Sequence, residues 1–581
     1  MGAEQSILKQ KGYTLEKETG NAVIATKGDD TFLITKIILD QTSGNDDSAL
    51  TSEIEILKTI NHPHIVSSKN SFKDQNTYYI VMDYCYGGSL AAKIKEMSEP
   101  PRECEVLSWI VEICMALRTI HEKNLLHKHL TPENILITEF GIVCLGGFGK
   151  IHENSITNSN MSETINYLAP EVFAVGKYDA KSDIWSVGCI LYELCTLQSA
   201  FSPETPIKLI PKILGGYPSL PDKFSPELRD LLNDIINKDP QSRPTASEIL
   251  ERPIMINSLS EKCKTTVKDL QTRLDRLRAV ADGLERVHHG TTIGSLTGGV
   301  IGAVGGITSI VGLILAPFTL GASLVVTGVG VGVGALGGVT AGASNITNMV
   351  NQSSDRKAVR CIIKEIEQKF YAVVTWLQEI SNSLQTIRSR CDSADTPDTE
   401  DSSNLVKLGC RAGKGLGGIA ELVRFVQVMN VGKIAAQASR VVRVAEVASG
   451  VLAGLFVAVD IFFIAMDAKE IHHIRQAKAA EEEGKTGSMS VSETETSDCV
   501  HPFDKAKLLM KDDELKSDRS EAQDQSPNTA PIRSEIMKFV RSIRQAADNL
   551  QEFLDELKIS IKSIPSLGDE SELEWQDMEL T

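Results

Sequence analysis

A long run without charged residues limits how this chain can fold. Residues 290–354 contain no Asp, Glu, Lys or Arg. Two apolar stretches within this run, 293–316 and 320–343, hold about 24 residues each, and as helices they would be about 36 Å long. That length crosses a hydrocarbon core of about 30 Å. Because Pro317 falls between the two stretches, the run predicts a helical hairpin.

Glycine recurs every four residues on each arm of this predicted hairpin, residues 291–344. Such stripes allow helices to pack closely in a membrane. In water, eight interior glycines cost about 8 kcal/mol relative to alanine, so the helices need protein packing or lipid around them. A membrane-spanning hairpin, a buried hairpin of a soluble bundle, and a sheathed form that inserts when triggered all satisfy this requirement. The repeats are Gly294, Gly298, Gly302 and Gly306, then Gly330, Gly334, Gly338 and Gly342.

Periodic and polar segments surround the hairpin. Apolar residues at three- and four-residue steps predict amphipathic helices over 261–287 and 356–388. A mostly apolar helix is predicted over 447–466, and a C-terminal amphipathic helix with a tail over 534–581. The acidic stretch 481–533 has the composition of a disordered linker. The expected buried faces are Leu270, Leu274, Leu277, Leu284 and Val287, and Ile362, Ile366, Phe370, Val373, Leu377 and Ile380.

The apolar helix over 447–466 contains a single acid, Asp460. An intramembrane carboxylate is a candidate pore or proton-sensing group. The alternative is a capped or interface residue of a buried helix. The flanking Arg440, Arg443 and Lys469 can meet anionic lipid headgroups. The adjacent histidines at 472 and 473 have no other ligands beside them, so we expect no metal site.

The net charge, the cysteines and the first residues indicate the partners and the cellular location of the chain. The net charge of −17 repels phosphate backbones, so we expect no nucleic-acid partner. The eleven cysteines form no CxxC pair and no apolar signal segment opens the chain, which favours a reducing, cytoplasmic location at a membrane. Residues 1–12 begin MGAEQS, which fits N-myristoylation at Gly2, although it is also a pattern that arises by coincidence. One myristoyl chain binds membranes with only about 10⁴ M⁻¹, so a second membrane signal is needed.

Residues 13–256 alternate β-rich runs with helical patterns, including an apolar helix that starts at Ser182–Asp183. Seven motifs resemble those of protein kinases in order and spacing, nearest to the NIMA-related (NEK) Ser/Thr kinases. The resemblance implies a bilobal α+β fold in which Glu171 pairs with Arg243 and Asp183 braces the catalytic loop. The motifs are HPHIV (62–66), YIVMDYCYGGSL (79–90), HKHLTPENIL (127–136), GGFG (146–149), LAPEV (168–172), SDIWSVGCILYEL (182–194) and SRPTA (242–246).

The groups that transfer phosphate in this family are replaced at the matching positions. Transfer requires a glycine-rich loop, a strand-three lysine, a proton-accepting aspartate and metal ligands. Thr35 stands at the lysine, His129 at the catalytic aspartate, Thr131 at the lysine after it, and Gly147 at the metal-binding aspartate. The loop region 13–27 contains one glycine, Gly20. His129 has a suitable pKa for a base, but the missing metal ligand removes charge neutralisation from the transition state.

Three residues remain as candidate nucleotide or metal contacts. Lys36 neighbours the lysine position, but one step along a strand turns it to the opposite face. Glu53 stands at the helix-C glutamate, and Asn134 at the remaining metal ligand. We therefore expect a pseudokinase without a resident cofactor, with ATP binding in the absence of Mg²⁺ as the alternative.

The chain over 260–480 resembles the apolipoprotein L family. The resemblance lies in a leucine-rich helix, then SIVGLILAPFTLGASL within the hairpin, then FVAVDIFFIAMDAKEIH. It implies lipid binding, membrane association and, in some members, ion-conducting pores or disruption of microbial membranes in innate defence. Secreted members of the family carry signal peptides, so the start of this chain favours an intracellular role.

The sequence thus predicts a multidomain chain with a kinase fold followed by an all-α, membrane-associating module that contains the glycine-rich hairpin. The expected function is an inactive kinase-fold sensor or scaffold coupled to a lipid-binding, membrane-inserting and pore-forming module. Expected partners are membrane lipids, an unidentified protein bound by the kinase-like part, and further copies of the chain in the membrane. The alternatives are an active Ser/Thr kinase recruited to membranes and a passive lipid-binding adaptor.

Overall fold

The computed structural model describes residues 7–19, 22–28, 30–38, 46–148, 165–201, 208–217, 219–294, 341–394, 431–486 and 530–564. They belong to two compact units. The first contains Met1–Asp275, Cys361–Leu452 and Asp548–Thr581, and the second contains Arg276–Arg360 and Ala453–Ala547.

A five-stranded antiparallel sheet opens the first unit, in the order β1-β2-β3-β5-β4. The central strand β5 is rich in aromatic and β-branched residues, and its residues 78–82 are all buried. The register pairs Thr35 with Ile80 and Lys36 with Tyr79 across β3 and β5. One face packs on a core of Leu8, Tyr13, Val23, Ala25, Ile34, Tyr79 and Val81. The strands are β1 Thr14–Thr19, β2 Ala22–Lys27, β3 Asp30–Ile38, β4 Ser68–Asp74 and β5 Thr77–Asp83.

A helical lobe follows the sheet, built around the buried helices α3 and α5. Gly188 of α5 allows close contact with the end of α7, since a Cβ there would lie 2.6 Å from the side chains of Ile235 and Ile236. The helices are α1 Asp46–Thr59, α2 Leu90–Glu96, α3 Glu103–Glu122, α4 Pro170–Val175, α5 Ala180–Thr196, α6 Leu209–Gly215, α7 Pro226–Ile235 and α8 Ala246–Leu250. A two-stranded sheet, β6 Ile135–Ile137 and β7 Val143–Leu145, and 3₁₀ turns at Ile165–Tyr167 and Pro240–Ser242 complete the lobe.

Four long helices make up the rest of the described chain, and each contributes residues to both units. They confirm the four helices predicted from periodicity. The two expected apolar faces are buried, except that Val287 has no described side chain. The helices are α9 Pro253–Gly294, α10 Ala341–Ala394, α11 Val431–Thr486 and α12 Ala530–Lys562.

Several boundaries differ from the predicted ones. The start of α5 at Ser182–Asp183 was a wrong prediction. Asp179 caps the helix by accepting hydrogen bonds from the N–H groups of Lys181 and Ser182. Helices α11 and α12 also extend into the predicted linker 481–533 at its two edges.

Part of the predicted hairpin lies outside the described residues. Gly294 is the last residue of α9, and Gly342 is the second residue of α10. The positions Gly298, Gly302, Gly306, Pro317, Gly330, Gly334 and Gly338 lie outside the described residues, as do Gly2 and Gly20.

Candidate functional site

The loop with the catalytic-loop motif is held by one buried carboxylate. Asp183 on α5 is fully buried and accepts hydrogen bonds from the backbone N–H of His127 and of Lys128, both at 2.9 Å. His121 Nε2 lies 2.8 Å from Asp183 Oδ2, and the Tyr178 hydroxyl donates to Oδ1 at 2.8 Å. Burial acts to raise the pKa of Asp183, but these hydrogen bonds and the nearby histidines bring it below its usual value. The structure therefore holds this loop through an ionised aspartate, the role that the resemblance implied for Asp183.

The His127 ring links this loop to the GGFG segment. Its Nε2 donates to the Gly146 carbonyl at 2.9 Å, and its ring lies 5.1 Å from that of Phe148. Burial lowers the pKa of His127, so the imidazole is neutral and carries its proton on Nε2. The side chain therefore acts as a packing and hydrogen-bonding element between the two segments.

The position of the metal-binding aspartate is closely packed. Gly147 adopts φ +76°, and a Cβ placed on it would lie 2.6 Å from both Cγ and Oδ1 of Asn134. Asn134 is itself held in place. Its side-chain N–H donates to the backbone carbonyl of His129 at 2.8 Å, and its backbone carbonyl accepts from the Gly146 N–H at 2.8 Å. Any side chain at position 147 must therefore displace the remaining candidate metal ligand.

The two other degenerate positions of this loop are enclosed by the same turn. Thr131 is buried, and its carbonyl accepts from the Asn134 N–H at 3.0 Å. His129 is half-buried, and its N–H donates to the His127 carbonyl at 2.8 Å.

In the five-stranded sheet, Thr35 and Lys36 occupy opposite faces of β3. Thr35 is buried. Lys36 is engaged by an ion pair, with its Nζ 2.5 Å from Glu18 Oε1 on β1. The hydrogen bond and charge of Lys36 lower the pKa of Glu18. Glu53 lies on α1 and is half-buried.

The structure brings together Glu171 and Arg243, the structural pair predicted from the resemblance. Arg243 donates to both carboxylate oxygens of Glu171, at 2.7 and 2.8 Å. Its guanidinium is fully buried and lies 4.9 Å from the centre of the Trp185 ring. Burial opposes ionisation of Glu171, but the hydrogen bonds from Arg243 hold its pKa below the usual value.

Of the two positions at which the kinase motifs place metal ligands, one holds Asn134 and the other holds Gly147, which has no side chain. Among the residues that the structure describes, no cluster of three His, Cys, Asp or Glu side chains can hold a metal ion. The closed position at Gly147 leaves no room for the missing carboxylate beside Asn134.

A second charged site lies within the other unit, around Asp460 of α11. Arg356 and Arg360 of α10 each donate to Asp460 Oδ1 at 3.0 Å. All three side chains remain about one-third exposed or less. In this structure Asp460 is therefore an interface residue, neutralised by two arginines one helical turn apart.

One side of α11 exposes apolar residues to solvent. Val447, Val457, Ile461 and Ile464 are each more than half exposed. Together with Gly450 and Gly454 they recur at steps of three and four, so they form one face, which we call the apolar face of α11. Among the described residues, one segment is long and apolar enough to cross a membrane, Val431–Ala465, and about a third of its most apolar window is buried.

Several functional side chains were missed by the reasoning from sequence. His121 and Tyr178 complete the shell of Asp183 from other elements. Arg356 and Arg360 stand one turn apart, a spacing that could have suggested a shared acidic partner. Glu112 sits inside an otherwise apolar run of α3, which could have indicated a buried carboxylate with a cationic partner.

The sheet order, the braced loop and the Glu171–Arg243 pair are consistent with the kinase fold that the motifs implied, and a helical region follows it. Residues 18–255 match the family model described as protein kinase domain, and residues 222–486 match the model described as apolipoprotein L. The two ranges overlap between 222 and 255, within the helical lobe.

Serine/threonine-protein kinases named Nek are among the relatives that this chain is similar to. It is 36% identical to mouse serine/threonine-protein kinase Nek1 over 247 residues, covering 41% of this chain and 20% of the relative. It is 32% identical to mouse Nek4 over 275 residues, covering 45% of this chain and 34% of the relative. Human Nek5 is 36% identical over 211 residues, covering 35% of this chain and 30% of the relative. The matches thus span between a fifth and about a third of these relatives. Residues 18–255 are similar to protein kinase domains, and residues 222–486 are similar to apolipoprotein L.

Proposed function

We propose that this chain is a pseudokinase joined to a membrane-inserting apolipoprotein L-like module. The kinase-like part serves as a scaffold or sensor for a protein partner and transfers no phosphate. The helical part binds lipid and, on release, inserts into a membrane, where it permeabilises the bilayer.

The close packing of Asn134 against Gly147 is the main support for a kinase-like part that transfers no phosphate. A nearby carboxylate is needed to hold Mg²⁺ against the nucleotide phosphates. At position 147 a side chain would overlap Asn134 and would also have to adopt a positive φ. Restoring the aspartate alone would therefore displace the only matching ligand that the family motif leaves at this loop.

The sheet side supports the same conclusion. At the position that corresponds to the strand-three lysine of kinases, this chain has a buried threonine, Thr35. The neighbouring Lys36 forms an ion pair with Glu18 instead. A phosphate-binding cation at this strand would have to break that pair and reach the other face of the sheet.

The apolar face of α11 supports the membrane half. Isoleucine and valine side chains left more than half exposed in water gain free energy on entering lipid, about 1 kcal/mol each for the area that remains exposed. Asp460, the one acid within the predicted span, is already paired with Arg356 and Arg360. That pairing reduces the cost of keeping a carboxylate beside an apolar surface.

A phosphotransfer assay tests the first half. The full chain is incubated with Mg²⁺ and labelled ATP, beside the Asn134→Ala variant and an active Nek kinase as positive control. We expect no incorporation into the chain or into casein and no Mg²⁺-dependent binding of a fluorescent ATP analogue. Incorporation by the wild type that Asn134→Ala abolishes would establish an active kinase and refute the proposal.

A vesicle assay tests the second half with the full chain. Flotation measures binding to phosphatidylcholine vesicles with and without phosphatidylglycerol, dye release measures permeabilisation, and protease protection measures insertion. The Val457→Asn/Ile461→Asn variant should bind about tenfold or more weakly, because it removes about 2 kcal/mol of apolar burial. Ser439→Asn, an exposed polar position on the same helix, is the matched control. Binding without protection or dye release would instead indicate a passive lipid-binding adaptor.

A further inference from the structure

Helix α10 is bound to the kinase-like fold along one broad face, within the first unit. Near its middle, the Tyr371 hydroxyl donates to the Asn61 carbonyl at 2.9 Å. Two turns further on, Arg118 Nη1 of α3 donates to Glu379 Oε1 at 2.5 Å. Lys364 pairs with Glu139 between β6 and β7 at 3.3 Å, and Arg390 pairs with Glu251 after α8. The helix thus contacts both the loop before β4 and the helical lobe.

The centre of this interface is a buried polar network. The Trp376 indole N–H donates to His64 Nε2 at 2.8 Å, and both side chains are almost fully buried. His64 therefore carries its proton on Nδ1, which donates to the Val143 carbonyl at 2.8 Å. The Val143 N–H donates in turn to Glu112 of α3 at 3.1 Å. Both backbone polar groups of Val143, on β7, are thus bound by members of this network.

Helix α9 completes the network from the other side. Lys262 Nζ lies 2.6 Å from Glu112 Oε1 and 5.1 Å from the centre of the Trp376 ring. Glu112 is fully buried and Glu379 almost so. Burial raises the pKa of both carboxyls, and the nearby Lys262 and Arg118 partly oppose this rise. Loss of Lys262 would leave Glu112 buried without its counter-charge, and loss of Glu379 would leave Arg118 without its partner, and either change destabilises a fold.

The same two helices lead into the charge-free run. Helix α9 ends at Gly294 and α10 begins at Ala341, so residues 295–340 connect them. The helices are also tied to each other, since Arg273 lies 3.2 Å from Glu365, and Lys369 binds Asp269. The parts of α9 and α10 that belong to the first unit, up to Asp275 and from Cys361, are therefore tied to each other on the kinase-like fold.

We propose that the Trp376–His64 and Glu379–Arg118 contacts, with Lys262–Glu112, form an intramolecular latch. The surface made by the HPHIV loop, α3 and β7 is a docking site for a helix, and α10 occupies it in cis. While it is occupied, α9 and α10 stay on the kinase-like fold; its release is the step that allows membrane insertion, so this inference rests on the proposed function.

Hydrogen exchange of the full chain tests the latch itself. Trp376→Phe keeps an aromatic ring but removes the N–H that His64 accepts, and Arg118→Gln/Glu379→Gln removes both charges of the ion pair without leaving one of them buried alone. We expect exchange in residues 361–390 and in β7 to rise on the order of tenfold in both variants. Tyr371→Phe removes a hydrogen bond at a more exposed position of the same helix and should stay near the wild-type rate. Unchanged exchange in both latch variants would overturn the inference.

Dye release from anionic vesicles tests the consequence. The latch variants should release dye about tenfold faster than the wild type and Tyr371→Phe, since the helices undock more often. Faster exchange with wild-type rates of dye release would overturn the regulatory role while leaving the membrane function intact. Should neither the wild type nor the variants float with vesicles, the proposed membrane function fails, and the release step fails with it.

Discussion

Replacing Gly147 with alanine measures how closely the metal position is packed. The backbone there has φ +76°, a conformation that costs an L-residue about 1–2 kcal/mol. The new Cβ would also lie 2.6 Å from Asn134 Cγ and Oδ1, and overpacking of this kind costs about 1–3 kcal/mol. We therefore expect Gly147→Ala to lower the free energy of unfolding of the kinase-like part by about 2–5 kcal/mol.

A matched control separates the two contributions. Gly176, at the C-terminal cap of α4, has φ +69°, and a Cβ added to it would have no neighbouring atom within 4 Å. Gly176→Ala should therefore cost only the backbone contribution of about 1–2 kcal/mol. The difference between the two alanine variants then reports the overlap with Asn134.

A double-mutant cycle with Asn134→Ala completes the test. Alone, this change should cost about 1 kcal/mol, because it removes the hydrogen bond to the His129 carbonyl. In the double variant the two overlapping atoms are absent, so the combined loss should be smaller than the sum by about 1–2 kcal/mol. The assay is urea unfolding followed by tryptophan emission, to which the buried Trp185 contributes. Additivity within about 0.5 kcal/mol, or equal costs for the two glycine variants, would refute the close packing of this position.

Three further predictions concern the charged sites. Burial lowers the pKa of His64 to about 3, so below about pH 6.5 the unfolded chain takes up a proton that the folded chain does not. The free energy of unfolding should therefore fall as the pH drops from about 6.5 towards 3, and urea midpoints of His64→Gln should depend less steeply on pH over this window. Arg243→Lys should destabilise the kinase-like part by about 3–5 kcal/mol, since lysine replaces neither the paired bonds to Glu171 nor the stacking on Trp185; an unchanged thermal midpoint would contradict this. Asp460→Asn should cost no more than about 2 kcal/mol of stability, because both of its ion pairs are partly exposed, and it should increase flotation with vesicles; weaker flotation would contradict the view that a carboxylate at this position opposes membrane entry.

The helices of the second half were predictable because their signal is local. The recurrence of Ile362, Ile366 and Phe370 at steps of four needs only the geometry of one helix to indicate a buried face. The helix start at Asp179 was harder, because Ser182 and Asp183 are also good capping residues. What excluded Asp183 from that role was its engagement by His127, a contact between residues far apart in sequence.

In the kinase-like half, too, the sequence motifs predicted some features, and others depended on contacts in the folded chain. Seven motifs in order were enough to indicate the fold and to align Thr35, His129 and Gly147 with the family's chemical groups. The alignment could not say that Asn134 fills the space beside Gly147, because that depends on side-chain rotamers in the folded loop.

The amino-acid order alone indicated the long helices of the second half and their apolar faces, since both are given by short-range spacing and residue type. The resemblance of the motifs indicated which positions differ from the phosphate-handling groups of the kinase family. Only the tertiary structure decided that Trp376 and Lys262 complete the core of the kinase-like fold, and that Asp460 is neutralised by Arg356 and Arg360. A buried polar group needs a hydrogen-bonding or charged partner, and the fold can bring that partner from any distance along the sequence. The local sequence pattern can therefore indicate that a polar residue is buried, but it cannot indicate which residue is its partner.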